Sequence, residues 1–295
     1  MSYSQPLVTV IIASYNHAPY IEESILSVLN QTYLNIELLV IDDGSTDNSG
    51  ERIRYLQESH TFDFHVQHNH GLTNTLNSAI SRSHGSLVVP FSSDDIMMPE
   101  RIAIQVDYMN DKPEVGICAG NIELIDANGK LFQEKRQRRN VSFRRMDFDD
   151  IFLERKPYPP APTLMIRREA LEKVNRFDPQ IFLEDLLIEL KITNAGYFID
   201  SLNIVMARYR KHATNSYKNH RFMIDNILRS YALFSDHPQY DKVRYKFLNS
   251  MFLKTSNRNC ALARELLAQI PFLAWNKKTW RGLSRLLFSP LEKDR

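Results

Sequence analysis

Hydrophobic residues in the first hundred positions alternate between short continuous runs and runs spaced as on one face of a helix. Leu7-Val-Thr-Val-Ile-Ile-Ala13 is β-branched and almost wholly apolar, the pattern of a strand buried on both faces. Ser14-Tyr-Asn-His-Ala-Pro19 breaks it, and Ile21, Ile25, Val28 and Leu29 then recur at helical spacing. Ile36-Glu-Leu-Leu-Val-Ile41 predicts a second buried strand. It ends in Asp42-Asp-Gly-Ser-Thr-Asp47, whose glycine and hydroxyl residues suit a tight turn and a helix N-cap. The pattern continues with a helix over 49–58, a short strand over 63–67, a helix over 73–83 and a strand over 86–91. That strand runs into Ser92-Ser-Asp-Asp95, and Pro99 opens a helix reaching about Met109.

Strands alternating with helices predict an α/β fold, a mostly parallel sheet flanked by helices. In such sheets ligands bind outside the carboxyl ends of the strands, where 14–16, 42–47 and 92–95 all fall. Farther along, 115–125 reads as a strand and 127–130 as a hairpin turn. Residues 135–162 read as loop with one short helix, 163–166 as a strand, 168–174 and 185–195 as helices, and 197–199 and 205–210 as two strands. Beyond His220 the pattern is helical throughout. The expected division is a catalytic domain over 1–219, with a nucleotide-binding half to about 110 and an acceptor half over 111–219, then a helical C-terminal extension over 220–295.

Composition narrows the function classes. With 295 residues, 43% hydrophobic, 24% charged and a formal net charge of +2, the chain lacks the basic excess of a nucleic-acid binder. Cys118 and Cys260 lie far apart and form no ligand spacing, which fits a reducing cytoplasm. The chain opens without signal-peptide features, and no apolar run approaches the length of a membrane helix, so a cytoplasmic protein is expected. Basic residues are nevertheless bunched: Lys135, Arg136, Arg138, Arg139, Arg144 and Arg145 in one segment, and Lys277, Lys278, Arg281 and Arg285 in the tail.

The acidic loops carry the candidate chemistry. Adjacent carboxylates such as Asp94 and Asp95 are costly unless solvated, hydrogen-bonded or neutralised by a cation. Oxygen donors in an open loop suit Mg2+ or Mn2+, which also take phosphate oxygens. Taken alone, a solvated turn or N-cap explains the pair as well. Asp42 and Asp43, at another strand end, could accept from a base N–H or a ribose hydroxyl, and alone they too read as turn chemistry. Two acidic strand-end loops in one sheet shift the balance toward a nucleotide diphosphate site.

Val8-Thr-Val-Ile-Ile-Ala-Ser-Tyr-Asn16, Ser27-Val-Leu-Asn-Gln-Thr-Tyr33 and Glu37-Leu-Leu-Val-Ile-Asp-Asp-Gly-Ser-Thr-Asp47 together resemble the opening of family 2 glycosyltransferases, inverting enzymes with the GT-A fold. The resemblance continues through Asn69-His-Gly-Leu72, Leu76-Asn77, Gly85, Phe91-Ser-Ser-Asp-Asp95, Pro99 and Phe182-Leu-Glu-Asp185. It closes at Tyr209-Arg-Lys-His212 with Asn215 and Ser216, spanning roughly 5–216 in order. It implies that Asp42 or Asp43 contacts the base of the donor, with Ala13, Tyr15 and Asn16 lining that pocket. Asp94 would face the ribose or diphosphate, and Asp95 would bind Mn2+ or Mg2+. The family often has an aspartate where this chain has Ser92, so Asp95 is favoured over any second carboxylate as ligand. His212 would lie near the diphosphate or metal. Asp185 would be the general base for an acceptor hydroxyl, with Glu184 beside it; the plain alternative is two acids favouring a helix N-terminus. His68 and His70 are left as loop residues.

Acceptor choice is assigned to loops held by the scaffold: Arg155-Lys-Pro-Tyr-Pro-Pro-Ala-Pro162, with Tyr158 as the acceptor-side residue, and the basic segment before it, which suits an acidic acceptor or is merely solvated. In the tail, Trp275, Trp280, Leu283, Leu286, Leu287 and Phe288 interleave with Lys and Arg. That pattern suits peripheral contact of 271–290 with the inner face of an anionic membrane, or packing on the protein or on a second copy. The expected activity is transfer of a sugar from a nucleotide diphosphate donor, UDP on family grounds, to a saccharide or lipid-linked hydroxyl in surface-polysaccharide assembly. A polyprenyl-phosphate glycosyltransferase and a non-catalytic nucleotide-sugar-binding relative are the alternatives, and a nucleotidyltransferase is more distant because no Gly-rich phosphate loop follows the first strand.

Overall fold

The apolar runs become strands and the 3.6-periodic runs become the helices that cover them. A computed structural model describes residues 5–132, 141–213, 215 and 218–288. In chain order these form β1 (Val8–Ser14), α1 (Ile21–Leu29), β2 (Ile36–Asp42), α2 (Ser49–Gln57), β3 (Asp63–Val66), α3 (Leu72–Arg82), β4 (Leu87–Ser92), β5 (Ile96–Met97) and α4 (Arg101–Asn110). There follow β6 (Val115–Ile125), β7 (Arg144–Met146), α5 (Phe148–Phe152), β8 (Met165–Arg167), α6 (Arg168–Lys173), α7 (Glu184–Asn194) and β9 (Phe198–Arg210). The helices α8 (His220–Ala232), α9 (Tyr240–Thr255), α10 (Cys260–Ala268) and α11 (Lys277–Phe288) complete the chain.

The nine strands form one sheet in the order β3-β2-β1-β4-β8-β6-β9-β5, with β7 also on β9. The first four run parallel. β8 is antiparallel to both β4 and β6, β6 and β9 run parallel, and β5 and β7 are antiparallel to β9. Register aligns the strand ends that matter: Ser14 pairs with Asp42, and Ala13 with Ser92. Three loops therefore leave the sheet at one edge. Val10, Ile12, Val40, Val89 and Phe91 are buried in the core with Ile21, Ile25 and Val28 of α1. Removing such apolar surface from water, at about 25 cal/mol per Å2, is what holds these strand ends in place. Below them Arg101 is fully buried and donates to the carbonyls of Pro162 (2.6 Å) and Leu164 (3.0 Å) and to Gln105 (2.9 Å), which pins the 162–164 segment to α4.

The chain separates into two compact units, Met1–Ile151 with Arg155–Ala213, and Phe152–Glu154 with Thr214–Arg295. In the second, α11 packs on α9 through Gly282, where an added Cβ would stand 2.5 Å from the Phe252 ring. Among the described residues no helix is long and apolar enough to cross a membrane.

Two expectations change. The two strands expected over 197–199 and 205–210 are one 13-residue strand, β9, which begins at Phe198. Its polar centre stays in the sheet because Asp200, fully buried, is bonded by Arg145 (2.7 and 2.9 Å) and Tyr108 (2.8 Å). The loop expected over 135–162 contains β7 as well as α5, while its residues 135–140 lie outside the described ones.

Candidate active site

Asn16 joins the first two strand-end loops. Its backbone is left-handed (φ 55°), a conformation asparagine tolerates better than most residues. Its amide N–H donates to Ser45 Oγ (2.9 Å), and its side-chain oxygen accepts from the N–H groups of Thr46 (2.8 Å) and Asp47 (3.3 Å). Asp47 in turn accepts from the Ala18 N–H (3.0 Å). Tyr15, 47% exposed, stands free of this lattice, and Ala13 is half-buried beside it.

Asp42 and Asp43 are both buried and face different partners. Asp42 accepts from Ser45 Oγ (2.5 Å). Asp43 accepts three bonds: from Gln67 Nε2 (2.8 Å) and the His70 N–H (2.9 Å) on Oδ1, and from the Gly71 N–H (2.9 Å) on Oδ2. Gly71 takes φ 80° to aim that N–H, a conformation a residue with a Cβ rarely adopts. Asp43 is thus the clamp of the 67–71 loop.

The third loop carries two adjacent carboxylates, Asp94 and Asp95. Asp95 is 1% exposed; its Oδ1 accepts from the Arg210 N–H (2.8 Å), and its Oδ2 is buried with no hydrogen-bond partner. Burial, and then the neighbouring Asp94 charge, push the Asp95 carboxyl well above the usual carboxylate range. Arg210 offsets part of this charge. Buried itself, it donates to the Asp94 carbonyl (2.7 Å) and to Glu23 (2.5 Å), and lies over the Tyr20 ring. Asp94 Oδ2 sits 2.7 Å from His212 Nε2. His17 completes the group: His17, Asp94 and His212 each offer a ligand atom, all within 4.8 Å of one another. Burial lowers the His17 pKa, against the opposing charge of Asp94, and so favours the neutral ring. Two imidazoles and the Asp94 carboxylate are a donor set that fits a divalent cation, and the expected ligand Asp95 stands on the next residue, outside that group of three.

Glu184 and Asp185 occupy the first turn of α7, where the helix dipole favours the charged form. Burial outweighs the dipole: the Glu184 carboxyl is pushed up to about 8 by burial and by Asp185, and burial also raises Asp185. Asp185 Oδ1 accepts from the Leu186 N–H (2.7 Å). One turn on, Glu189 is 4% exposed and held well above its ordinary pKa by burial and by Asp185.

The remaining expected residues are placed apart from these carboxylates. Tyr158 lines a small cleft with Asn121, Val141, Arg144, Pro157, Pro160 and Ser201. Arg144 is tied to Asp150 (2.9 Å) and to the Arg155 carbonyl, and Arg145 to Asp200 and Glu114, so these two basic side chains serve internal pairs. Lys135, Arg136, Arg138, Arg139 and Ser216 lie outside the described residues, as does the side chain of Phe288. Sequence reasoning passed over His17 and Glu189. A histidine at the end of β1 followed by one at the end of β9 was the signal available for the first.

With this geometry in hand, the comparisons with known proteins fall into place. Residues 9–174, more than half of the chain, match the profile of glycosyl transferase family 2, and the chain belongs to that family. It is 28% identical over 220 residues to the O-antigen biosynthesis glycosyltransferase WbnJ of Escherichia coli, covering 72% of this chain and 83% of that one. Its fold is that of S. aureus TarS 1–349 in complex with UDP-GlcNAc (TM-score 0.66, 17% identity, 96% of this chain and 81% of that one). It is likewise that of the mannosyltransferase PcManGT from Pyrobaculum calidifontis in complex with GDP-Man and Mn2+ (TM-score 0.62, 20% identity, 97% and 88%). These likenesses make the architecture GT-A in type, with the C-terminal helices as an addition. The chain spans 66%, 19% and 38% of the lengths of the first three curated relatives it matches.

Proposed function

We propose that this protein transfers a sugar, with inversion, from a nucleotide diphosphate donor of the UDP type to a hydroxyl of a saccharide or lipid-linked acceptor in surface-polysaccharide assembly. The observation that carries the reading is the convergence of three strand-end loops on one acidic edge, with the Asp95 Oδ2 buried and unpartnered there. The relation to an O-antigen glycosyltransferase supports the acceptor class, and the nucleotide complex of TarS supports the donor class.

Asn16, Asp42 and Asp43 shape the pocket for the base and ribose, with the exposed Tyr15 ring available to cover the base. Asp94 and His212, with Asp95 on the next residue, would hold a divalent ion, whose charge would stabilise the diphosphate as it leaves. Asp185 takes the proton of the acceptor hydroxyl on Oδ2 while Oδ1 stays on the Leu186 N–H. A carboxylate whose proton affinity is raised by burial is the stronger base for that step. The hydroxyl attacks the face of the anomeric carbon opposite the diphosphate, so the configuration inverts, through an oxocarbenium-like transition state.

The second unit supports a lipid-linked acceptor. Phe272, Leu273, Trp280 and Leu287 are 71%, 98%, 57% and 74% exposed, and the Phe272, Trp275 and Trp280 rings stack in sequence at 5.1 and 5.2 Å. Lys277, Lys278, Arg281 and Arg285 flank them, and no acidic residue lies between Glu265 and Glu292. Aromatic and leucine side chains beside basic ones suit the headgroup layer of an anionic bilayer.

Asp185→Asn tests the reaction. Turnover of a UDP-sugar with acceptor should fall at least ~1000-fold while UDP affinity stays within about threefold. Loss of UDP binding together with turnover would overturn the base assignment, and unchanged turnover would overturn the reaction as written.

A further inference from the structure

The loop between β1 and α1 brings a histidine to the acidic edge. His17 Nδ1 stands 2.6 Å from Ser93 Oγ, so Nδ1 is occupied and Nε2 is the ring atom left to act as a ligand. The ring is fixed from several sides: its backbone N–H donates to Ser49 Oγ (3.0 Å), and its ring packs edge-on against His212 (5.6 Å) and Tyr20 (6.1 Å). His212 presents Nε2 to Asp94 Oδ2 at 2.7 Å and packs on Tyr20 at 4.9 Å. The three ligand atoms of His17, Asp94 and His212 lie within 4.8 Å of one another. They come from three separate strand ends, so the fold, not local sequence, assembles them.

We propose that His17 is a metal ligand, and that two imidazoles with one carboxylate make this a site for a borderline transition-metal ion, of the Co2+, Zn2+ or Fe2+ kind, in preference to Mg2+. The inference rests on the metal-dependent reading above and narrows it. Donor chemistry carries the preference. Imidazole nitrogen binds transition ions well, whereas Mg2+ keeps to oxygen donors and water. Ser93 has the place of the outer partner that fixes the ring and tautomer of a ligating histidine. Arg210 leaves room for the ion's charge, because its guanidinium is turned onto the Asp94 carbonyl and Glu23. The hydrogen shared by His212 Nε2 and Asp94 Oδ2 would leave to solvent as the ion takes both atoms. Asp95 Oδ2, buried and without a hydrogen-bond partner, lies on the next residue.

Co2+ tests this without turnover, because a bound paramagnetic ion shifts the N–H signals of ligating imidazoles out of the ordinary proton spectrum. The full chain is titrated with CoCl2 and with MgCl2, with and without UDP, following affinity and the shifted, solvent-exchangeable signals. Wild type should show two such signals and bind Co2+ at least ~100-fold more tightly than Mg2+. His17→Ala should lose one signal and at least ~10-fold in Co2+ affinity while its far-UV circular dichroism stays unchanged. His17→Asp, which restores an oxygen donor, should move the preference back toward Mg2+. A single signal in wild type, or two in His17→Ala, overturns the assignment of His17. Equal affinity for Co2+ and Mg2+ overturns the preference. Absence of any divalent binding, with or without UDP, removes the metal from the proposed function as well, an outcome distinct from loss of the His17 effect alone.

Discussion

Asp43→Asn separates a pocket acid that merely awaits its ligand from one that builds the pocket. The carboxylate accepts from Gln67 Nε2 and the His70 N–H on one oxygen and from the Gly71 N–H on the other. Asparagine can keep the first two on its single oxygen, but its NH2 then points at the Gly71 N–H, donor against donor. Flipping the amide only moves the conflict to the other pair. The loss is one charge-assisted bond, worth about 1.5–3 kcal/mol, plus part of the cost of a buried unsatisfied N–H. We therefore expect the 67–71 loop to open more easily by about 3 kcal/mol, roughly a 150-fold change in the opening equilibrium. Native-state hydrogen exchange reads this directly. Protection of the His70 and Gly71 amides should drop by about two orders of magnitude in the ligand-free protein, while the β1 and β6 amides hold near wild type. UDP affinity should fall in parallel. Protection at His70 and Gly71 within about threefold of wild type would refute the clamp and return Asp43 to a ligand contact alone.

Three further outcomes follow from the geometry. The Glu184 carboxyl, pushed up to about 8 in the fold against 4.5 in the open chain, holds a proton that the unfolded state releases. Stability should therefore fall as pH rises from about 4.5 to 8 and level off beyond, by a ceiling near 5 kcal/mol and by about 2 kcal/mol where water reaches this partly exposed side chain. Denaturant midpoints across that range should flatten in Glu184→Gln, and a slope equal to wild type would remove Glu184 as its source. Leu273→Asp and Lys277→Glu/Arg281→Glu should each lower sedimentation with phosphatidylglycerol-containing vesicles, the latter by about fivefold or more per reversed charge, with little effect on neutral vesicles. Binding equal to wild type, or concentration-dependent dimerisation through the same residues, would argue against the bilayer. Gly85→Ala should destabilise by roughly 3 kcal/mol or more, since its Cβ would stand 2.5 Å from the Thr9 N and Oγ1 atoms; an unchanged thermal midpoint would refute that close approach.

The strand ends were legible because their signal is local and dense. β1, β2 and β4 are largely apolar runs rich in Val and Ile, and the acidic loops follow β2 and β4 at once, so Asp42, Asp43, Asp94 and Asp95 reach one edge by register alone. β5 and β7 were not legible, because strands of two and three residues carry no period. The polar centre of β9 misled for a different reason: Asp200 looks like a loop residue until Arg145, 55 positions earlier, is known to neutralise it. The division of labour among the acids was hidden for the same cause. Nothing near Asp43 shows that its partners are backbone N–H groups at 70 and 71, and nothing near His17 shows that His212 stands 5.6 Å away. The basic run reads as a surface patch, yet Arg144 and Arg145 are committed to Asp150, Asp200 and Glu114. Sequence patterns report which face is buried; they do not report which distant charge comes with it.

The seam of the sheet bears on how the chain is made. β4 and β6 do not pair with each other; between them in the sheet lies β8, three residues that pair with Leu87–Val88 on one side and with Ile117–Cys118 on the other. A nascent chain that has emerged only as far as residue 150 already holds both flanking strands but not the strip that joins them. Until Met165–Arg167 emerge, each flank displays an open, hydrogen-bonding edge, the kind of surface that recruits strands from neighbouring chains. Fragments cut before this strip should be poorly soluble, and because β6 pairs on its other side with β9, the sheet is closed only once Phe198–Arg210 have also emerged, which places the moment of greatest need for a chaperone between these two short stretches of backbone.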